Sequence, residues 1–297
     1  MKKTGKKLFT LLLAVSMVIA AVAGCKGKEE EKKIIVGSKG FTENLIVSEL
    51  YALALEDLGY TVERKFEIYN SVIHETICND EIDLYPEYTG TALMTILGEG
   101  MMTDPQAVYE KVKSMYADKY GLAVLDFCRV NDGSGLAIRT EAAENWGIYT
   151  ISDLQANASH IRFGSTADFL EREDGLPGLE SAYGPFDFAE KTSFDNALKY
   201  EIMKNDEVDC VPAYTTDAAL ADEALTLLED DRQFWPPYNI IPVVRQEVLD
   251  QYPDVEEAIN RISASLDTDT MIQLNSEVDI EQREYEEVAK EFYDTLN

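Results

Sequence analysis

Residues 81–93 read "EIDLYPEYTGTAL", an apolar run that carries Tyr85 and Tyr88 and breaks at Thr89-Gly90-Thr91. Further along, "NDEVDCVPAYTTDA" (205–218) aligns with "NDEIDLYPEYTGTA" (79–92) at an offset of 126 residues. Eight of the fourteen positions are identical, among them Pro86/Pro212, Tyr88/Tyr214 and Thr89/Thr215. One strand-to-turn unit is used twice, and the flanking sequence is read outward from it. Ahead of the first copy, "KIIVGS" is a short buried strand. Val47, Leu50, Ala54 and Leu58 then recur at helical spacing, and "TVERKFEI" alternates as a strand. A helix around Ser71–Cys78, the strand Ile82–Tyr85 and a helix from about Thr91 follow. The βαβαβ order predicts an α/β fold with a parallel sheet flanked by helices. Ligands bind such sheets beyond the carboxyl ends of the strands, where Ser38, Lys39 and the Tyr85–Thr91 loop fall.

The second copy sits in a similar setting. "GLAIRT" and "IRFGS" read as strands, "TISDL" as a capped helix start, and a helix is expected through Phe194–Met203. The chain then passes "FWPPYNIIPVVR" and ends in helices marked by Val255, Ile259, Ile262, Leu266 and by Tyr285, Val288, Phe292, Leu296. This predicts one lobe from 34–131 plus 237–297 and another from 132–236. Two crossings of the chain would join them, making a hinge with an interlobe cleft that can close on a ligand.

The formal charge is −30, and the first residues are basic, so the remainder is more acidic still. This charge argues against nucleic acid as a partner, because phosphate neutralisation needs a basic face. "MKKTGKK" followed by "LFTLLLAVSMVIAAVA" and Gly24-Cys25 has the layout of a secretory signal peptide over 1–24. "VAGC" resembles a bacterial lipobox. Cys25 is therefore expected to be lipidated and 25–33 to act as a tether, leaving an exported protein held at the outer face of the cytoplasmic membrane. Cys78, Cys128 and Cys210 show no metal-ligand spacing and are read as buried small apolar residues, with one disulfide as the alternative. His74 and His160 have no evident nucleophile nearby, and no G-x-S-x-G or phosphate-binding loop occurs, so an enzyme is not expected.

"IIVGSKGFTENL" (34–45), "EIDLYPEYTGTAL", "FLEREDGLPGL" (169–179), "AYTTDA" (213–218) and "FWPPYNIIPVVRQEVL" (234–249) resemble the substrate-binding proteins of osmoprotectant ABC importers. These are binders of glycine betaine, carnitine and choline. The resemblance runs from about Ile34 to the C-terminus. It implies a two-lobed, type II periplasmic-binding-protein-like fold, no cofactor, a monomer, and partnership with an ABC permease and its ATPase. A quaternary ammonium has no N–H to donate, so aromatic faces hold it better than a directional hydrogen bond. Tyr88, Tyr214 and Tyr238 match the family's cage tyrosines, and Tyr85 is read as core. Lys39, Thr91 and Arg172 match the polar residues near a betaine carboxylate, with Ser71 a weaker candidate. In "VNDGSGLAIR" (130–139) Ser134 stands where many relatives have a fourth cage tyrosine, and Asp132 precedes it by two. The open side is expected to admit a bulkier or more polar trimethylammonium compound than glycine betaine, unless Trp235 or Phe169 fills it. The rival reading is an amino-acid or polyamine binder of the same fold, with Asp132 or Asp217 meeting the ammonium.

Overall fold

The structure, a computed structural model, describes residues 32–172, 174–194 and 198–296. The expected signal peptide, Cys25 and all of the tether before Lys32 lie outside the described residues. Among the described residues no helix is long and apolar enough to cross a membrane.

Two five-stranded sheets organise the chain. The first contains β1 (Lys33–Lys39), β2 (Thr61–Ile68), β3 (Leu84–Tyr88), β4 (Leu122–Val124) and the late strand β10 (Ile240–Arg245), in the order β2-β1-β3-β10-β4. The second contains β5 (Ser134–Arg139), β6 (Arg162–Ser165), β7 (Glu190–Ser193), β8 (Cys210–Tyr214) and β9 (Leu225–Leu227), in the order β7-β6-β8-β5-β9. The two orders are the same pattern, with the repeated motif supplying the central strand of each sheet as β3 and β8. Both sheets are mixed rather than parallel. β1 runs parallel to β3 and β6 parallel to β8, as a helical crossover requires. β10 and β5 run antiparallel to those same central strands. Each of these two follows a crossing of the chain from the other sheet, with no helix to return it to a parallel start, and the βαβαβ reading did not foresee that.

Both faces of each sheet are covered. In the first, α1 (Thr42–Asp57) and the C-terminal helices pack Leu50, Leu55, Ile259 and Val288 with Val36, Leu84 and Val244 of the strands. On the opposite face α3 (Pro105–Tyr120) brings Val108 and Val112 against Tyr85, Ile241 and Val243. α3 starts on an N-cap, Asp104, whose side chain accepts from the Ala107 N–H at 2.7 Å, and Pro105 follows at the first turn. The capped helix start predicted from "TISDL" is present as a capping box: Thr150 and Asp153 bond reciprocally at the head of a helix over Ile151–Asn157. The helix expected at Ser71–Cys78 begins at Ile73, forming α2 (Ile73–Cys78), and the one expected near Phe194 is described from Lys199 to Lys204. Residues Thr91–Ile96 form a π-helical turn, not an α-helix.

The repeated threonines fasten the crossings. Thr89 Oγ1 donates to the Pro237 carbonyl at 3.0 Å and accepts from the Asn239 N–H at 3.0 Å, so the end of β3 grips the second crossing. Thr215 Oγ1, at the same place in the second sheet, bonds the Asn131 carbonyl and accepts from the Gly133 N–H at 2.9 Å, gripping the first. Asn131 and Asn239 form an antiparallel bridge between the crossings. Asn239 Nδ2 closes the arrangement by donating to the carbonyls of Cys128 and Val130 at 3.1 and 3.0 Å.

The cysteine reading needs one correction. Cys128 and Cys210 are buried, but Cys78 is exposed, as the last residue of α2, with its sulfur 3.6 Å from His74 Nε2. All three are free. His74 packs edge-on to Tyr116 and Tyr120, and His160 stacks on Trp146 at 3.6 Å, so both imidazoles lie in aromatic contacts.

Candidate functional site

A cleft of about 610 Å³ lies between the two sheets and draws its lining from both. From the first come Lys39 at the end of β1, Phe41 and Glu43 at the start of α1, Tyr88 at the end of β3, and Thr91. From the second come Ser134 at the start of β5, Arg172, Asp174, Tyr214 at the end of β8, and Thr216 and Asp217 just beyond it. Asp132 and Tyr238 enter from the two crossings, and a C-terminal helix over Thr268–Asp279 contributes Asn275 and Asp279.

The structure thus brings Tyr88, Tyr214, Tyr238, Lys39, Thr91, Arg172, Asp132 and Ser134 to one cleft. Ser71 is exposed and is not among the lining residues, where its neighbour Asn70 is. The three tyrosines differ in setting. Tyr88 is nearly closed off at 3% exposure, its hydroxyl donating to Glu43 Oε1 at 2.8 Å. Tyr214 is 55% exposed, with Lys199 Nζ 5.4 Å from its ring centroid. Tyr238 lies against Gly90: a Cβ there would stand 2.7 Å from the ring, so only glycine admits it. The two motif copies diverge at this very position, since Thr216 is the counterpart of Gly90 and instead directs its hydroxyl to Asp132 Oδ1 at 2.8 Å.

The basic side chains are each matched by an acid. Lys39 is 2% exposed and its ammonium bonds the buried Glu87, with the Tyr88 ring centroid 5.0 Å away. Arg172 holds Asp174 in a two-pronged pair, which draws the Asp174 carboxyl below its ordinary range. Lys199 and the Tyr200 hydroxyl both reach Asp217 Oδ2 at 2.6 Å. Glu43 differs, because the groups that reach it are neutral. Burial first, then the nearby negative charge of Asp132, push its carboxyl up to about 8. Burial raises Asp132 as well.

Ser134 sits directly across the ladder from Tyr214. Trp235 is buried in the second core with its indole N–H on the Asp174 carbonyl at 3.0 Å. Phe169 lines a smaller adjoining cavity that shares Ser134, Arg172 and Tyr214 with the cleft. Phe41, overlooked in the sequence, is 40% exposed in the cleft with its ring 5.9 Å from that of Tyr88. Glu43, Thr216 and Asn275 were also missed. Glu43 lay inside a quoted motif, but nothing in its sequence neighbourhood signals that a helix-start acid will be buried.

A family profile, the substrate-binding domain of ABC-type glycine betaine transport systems, matches residues 32–295. The chain belongs to this family. It is a substrate-binding protein of the glycine betaine/carnitine type of ABC transporter, and the family is not one of enzymes. The binding protein is 32% identical over 294 residues to a glycine-betaine-binding protein of Pseudomonas aeruginosa, covering 95% of this chain and 92% of that one. It is 28% identical to the carnitine transport binding protein OpuCC of Listeria monocytogenes, covering 100% and 98%. It is 31% identical to the ergothioneine transport permease/ergothioneine binding protein EgtU of Helicobacter pylori, matching 90% of this chain but spanning only 48% of that relative's length. Among solved structures, one described as a glycine betaine/carnitine/choline ABC transporter superposes with a TM-score of 0.83 at 26% identity, covering 88% of this chain and 98% of that one. Apo YehZ from Escherichia coli gives 0.82 at 29%, covering 89% and 98%. The binding protein therefore has the two-lobed α/β fold of type II periplasmic binding proteins.

Proposed function

We propose that this cleft captures a trimethylammonium compound between tyrosine faces and hands it to an ABC permease and its ATPase. The observation that carries the reading is the convergence of Tyr88, Tyr214 and Tyr238 on one cleft from three distant segments, two of them at repeat-related positions. Each ring contributes about 0.5–2 kcal/mol to a desolvated cation, so several rings together approach the roughly −8 kcal/mol of micromolar binding. The lobes, taken as 34–131 with 237–297 and as 132–236, close about the crossings clamped by Thr89 and Thr215. Lys39, Thr91 and Arg172 orient the polar end of the ligand. Cys25 is the lipid attachment, holding the monomer at the outer face of the membrane.

Ser134, where many relatives have a fourth cage tyrosine, favours a ligand bulkier or more polar than glycine betaine, and carnitine and ergothioneine name two relatives of the chain. The test is calorimetric titration of glycine betaine, carnitine, choline and ergothioneine against the chain lacking residues 1–25. Micromolar binding of a trimethylated compound, without competition from unmethylated amines, supports the reading. Binding of unmethylated amino acids or polyamines alone would overturn it, and glycine betaine binding tightest by far would sink the larger-ligand part.

A further inference from the structure

The cleft is continuous with a second space. A side chamber of about 210 Å³ shares Ser134, Arg172, Asp174 and Tyr214 with it, and all of its lining comes from residues between 134 and 214. Three rings, Phe169, Phe194 and Tyr214, stand in that lining, and Thr166 and Lys199 add polar groups. The walls are fixed by the protein itself. Phe169, on a short helix over Ala167–Glu171, packs tilted on Phe163 with ring centroids 6.2 Å apart. Phe163 in turn stacks on Phe188 at 4.5 Å in the aromatic core of the second sheet. Phe194 follows β7, and its N–H donates to the Ser165 carbonyl at 3.0 Å. Its ring lies over Gly164 of β6, where a Cβ would stand only 2.6 Å away. Lys199 is held by Asp217 at 2.6 Å.

Ser134 sets the width of the shared mouth. It is the ladder partner of Tyr214, and cross-strand partners project their side chains from the same face of a sheet. A tyrosine at 134, as many relatives have, would stand beside Tyr214 where the two spaces join. A serine leaves the way through. The chamber also has the right size for one ring: an apolar cavity of about 150 Å³ is enough to hold benzene. Aromatic walls suit a flat guest, which can lie offset-stacked or edge-on to them.

We propose that the side chamber is a subsite for the side chain of an amino-acid betaine, an α-trimethylammonium acid whose substituent is a flat ring. This rests on the reading of the cleft as a trimethylammonium site. The head stays among Tyr88, Tyr214 and Tyr238, the α-carbon passes Ser134, and the ring enters between Phe169 and Phe194. Ser134 and Phe194 then determine specificity, and Gly164 is a positioning residue that makes room for the Phe194 ring.

The experiment compares betaines that differ only at the α-carbon. Glycine betaine and the trimethylated betaines of leucine and phenylalanine are titrated calorimetrically. The phenylalanine betaine should bind about 10- to 100-fold tighter than glycine betaine, the gain from burying one ring. Ser134→Tyr should reverse this order, with glycine betaine gaining about 2- to 30-fold from the added ring and the phenylalanine betaine losing its advantage. Gly164→Ala should weaken the phenylalanine betaine several-fold and leave glycine betaine within about 2-fold, since Gly164 lies outside the cleft lining. Tight glycine betaine binding with no gain for the phenylalanine betaine would overturn the proposal while leaving the trimethylammonium site standing. Equal affinities for the leucine and phenylalanine betaines would overturn the assignment to a flat ring. A second arm dispenses with the ammonium: 4-methylphenol, a ring alone, is titrated into protein carrying carbon-13-labelled phenylalanine and followed by NMR. Saturable shifts at Phe169 and Phe194 that vanish in Ser134→Tyr support the chamber. No shift at either ring up to the solubility of the probe would refute it, even if no trimethylammonium compound binds.

Discussion

At the scale of single residues, the cleft separates two tyrosine roles that the repeat alone could not distinguish. Tyr88 is packed in the first core and bonded to Glu43, so its removal would damage the fold along with the site. Tyr214 is half free in the cleft. Tyr214→Ala is therefore the clean substitution: trimethylammonium affinity should fall by about 2- to 30-fold, the equivalent of one ring, with thermal unfolding unchanged. An unaltered dissociation constant would remove Tyr214 from the site. Gly90→Ala tests Tyr238 indirectly. The added methyl would meet the ring at 2.7 Å, so the ring must turn. Affinity should drop several-fold, and the loss should be absent when Tyr238 is already leucine.

At the scale of elements, the clamp on the crossings is specific enough to break. Asn239→Ala leaves the carbonyls of Cys128 and Val130 without their amide donor, both in a buried setting. Denaturant unfolding should show a loss of about 1–3 kcal/mol, and a loss below 0.5 kcal/mol would mean that water replaces the amide. The repeat at 79–92 and 205–218 was legible in the sequence because identical residues serve identical jobs. Pro86 and Pro212 lie within the central strands, Tyr88 and Tyr214 face the cleft, and Thr89 and Thr215 hold the crossings. Chain direction was not legible, since hydrophobic alternation in β5 and β10 is the same whichever way a strand runs. The helix Thr268–Asp279 also gave little signal, because its buried face mixes Met271, Ile272 and Leu274 with the polar Asn275. The acid corner of the cleft was hidden for a related reason. Glu43, Thr216 and Asn275 lie far apart in the chain and meet only through the tertiary fold, whereas the cage tyrosines sit in local motifs.

At the scale of the whole molecule, stability and proton content are linked through Glu43. Its carboxyl titrates near 8 when folded against an ordinary 4.5. Between those values the folded protein carries a proton that the unfolded chain lacks. The stabilisation is complete below about pH 4.5 and disappears as pH rises through 8, on the order of 5 kcal/mol. Glu43→Gln should accordingly flatten the fall in unfolding free energy between pH 5.5 and 8.5. An identical slope in both proteins would assign the proton elsewhere. The shared strand order has an effect on how the molecule comes into being. All five strands of the second sheet lie within 134–227, but the first lacks its fourth strand until residues 240–245 exist. A growing or translocating chain can complete the later half by itself, whereas the earlier half keeps a bare central edge until nearly the end of synthesis. The late-arriving strand thus acts as an assembly checkpoint, and an amino-terminal fragment released before it would offer that edge to other chains and aggregate.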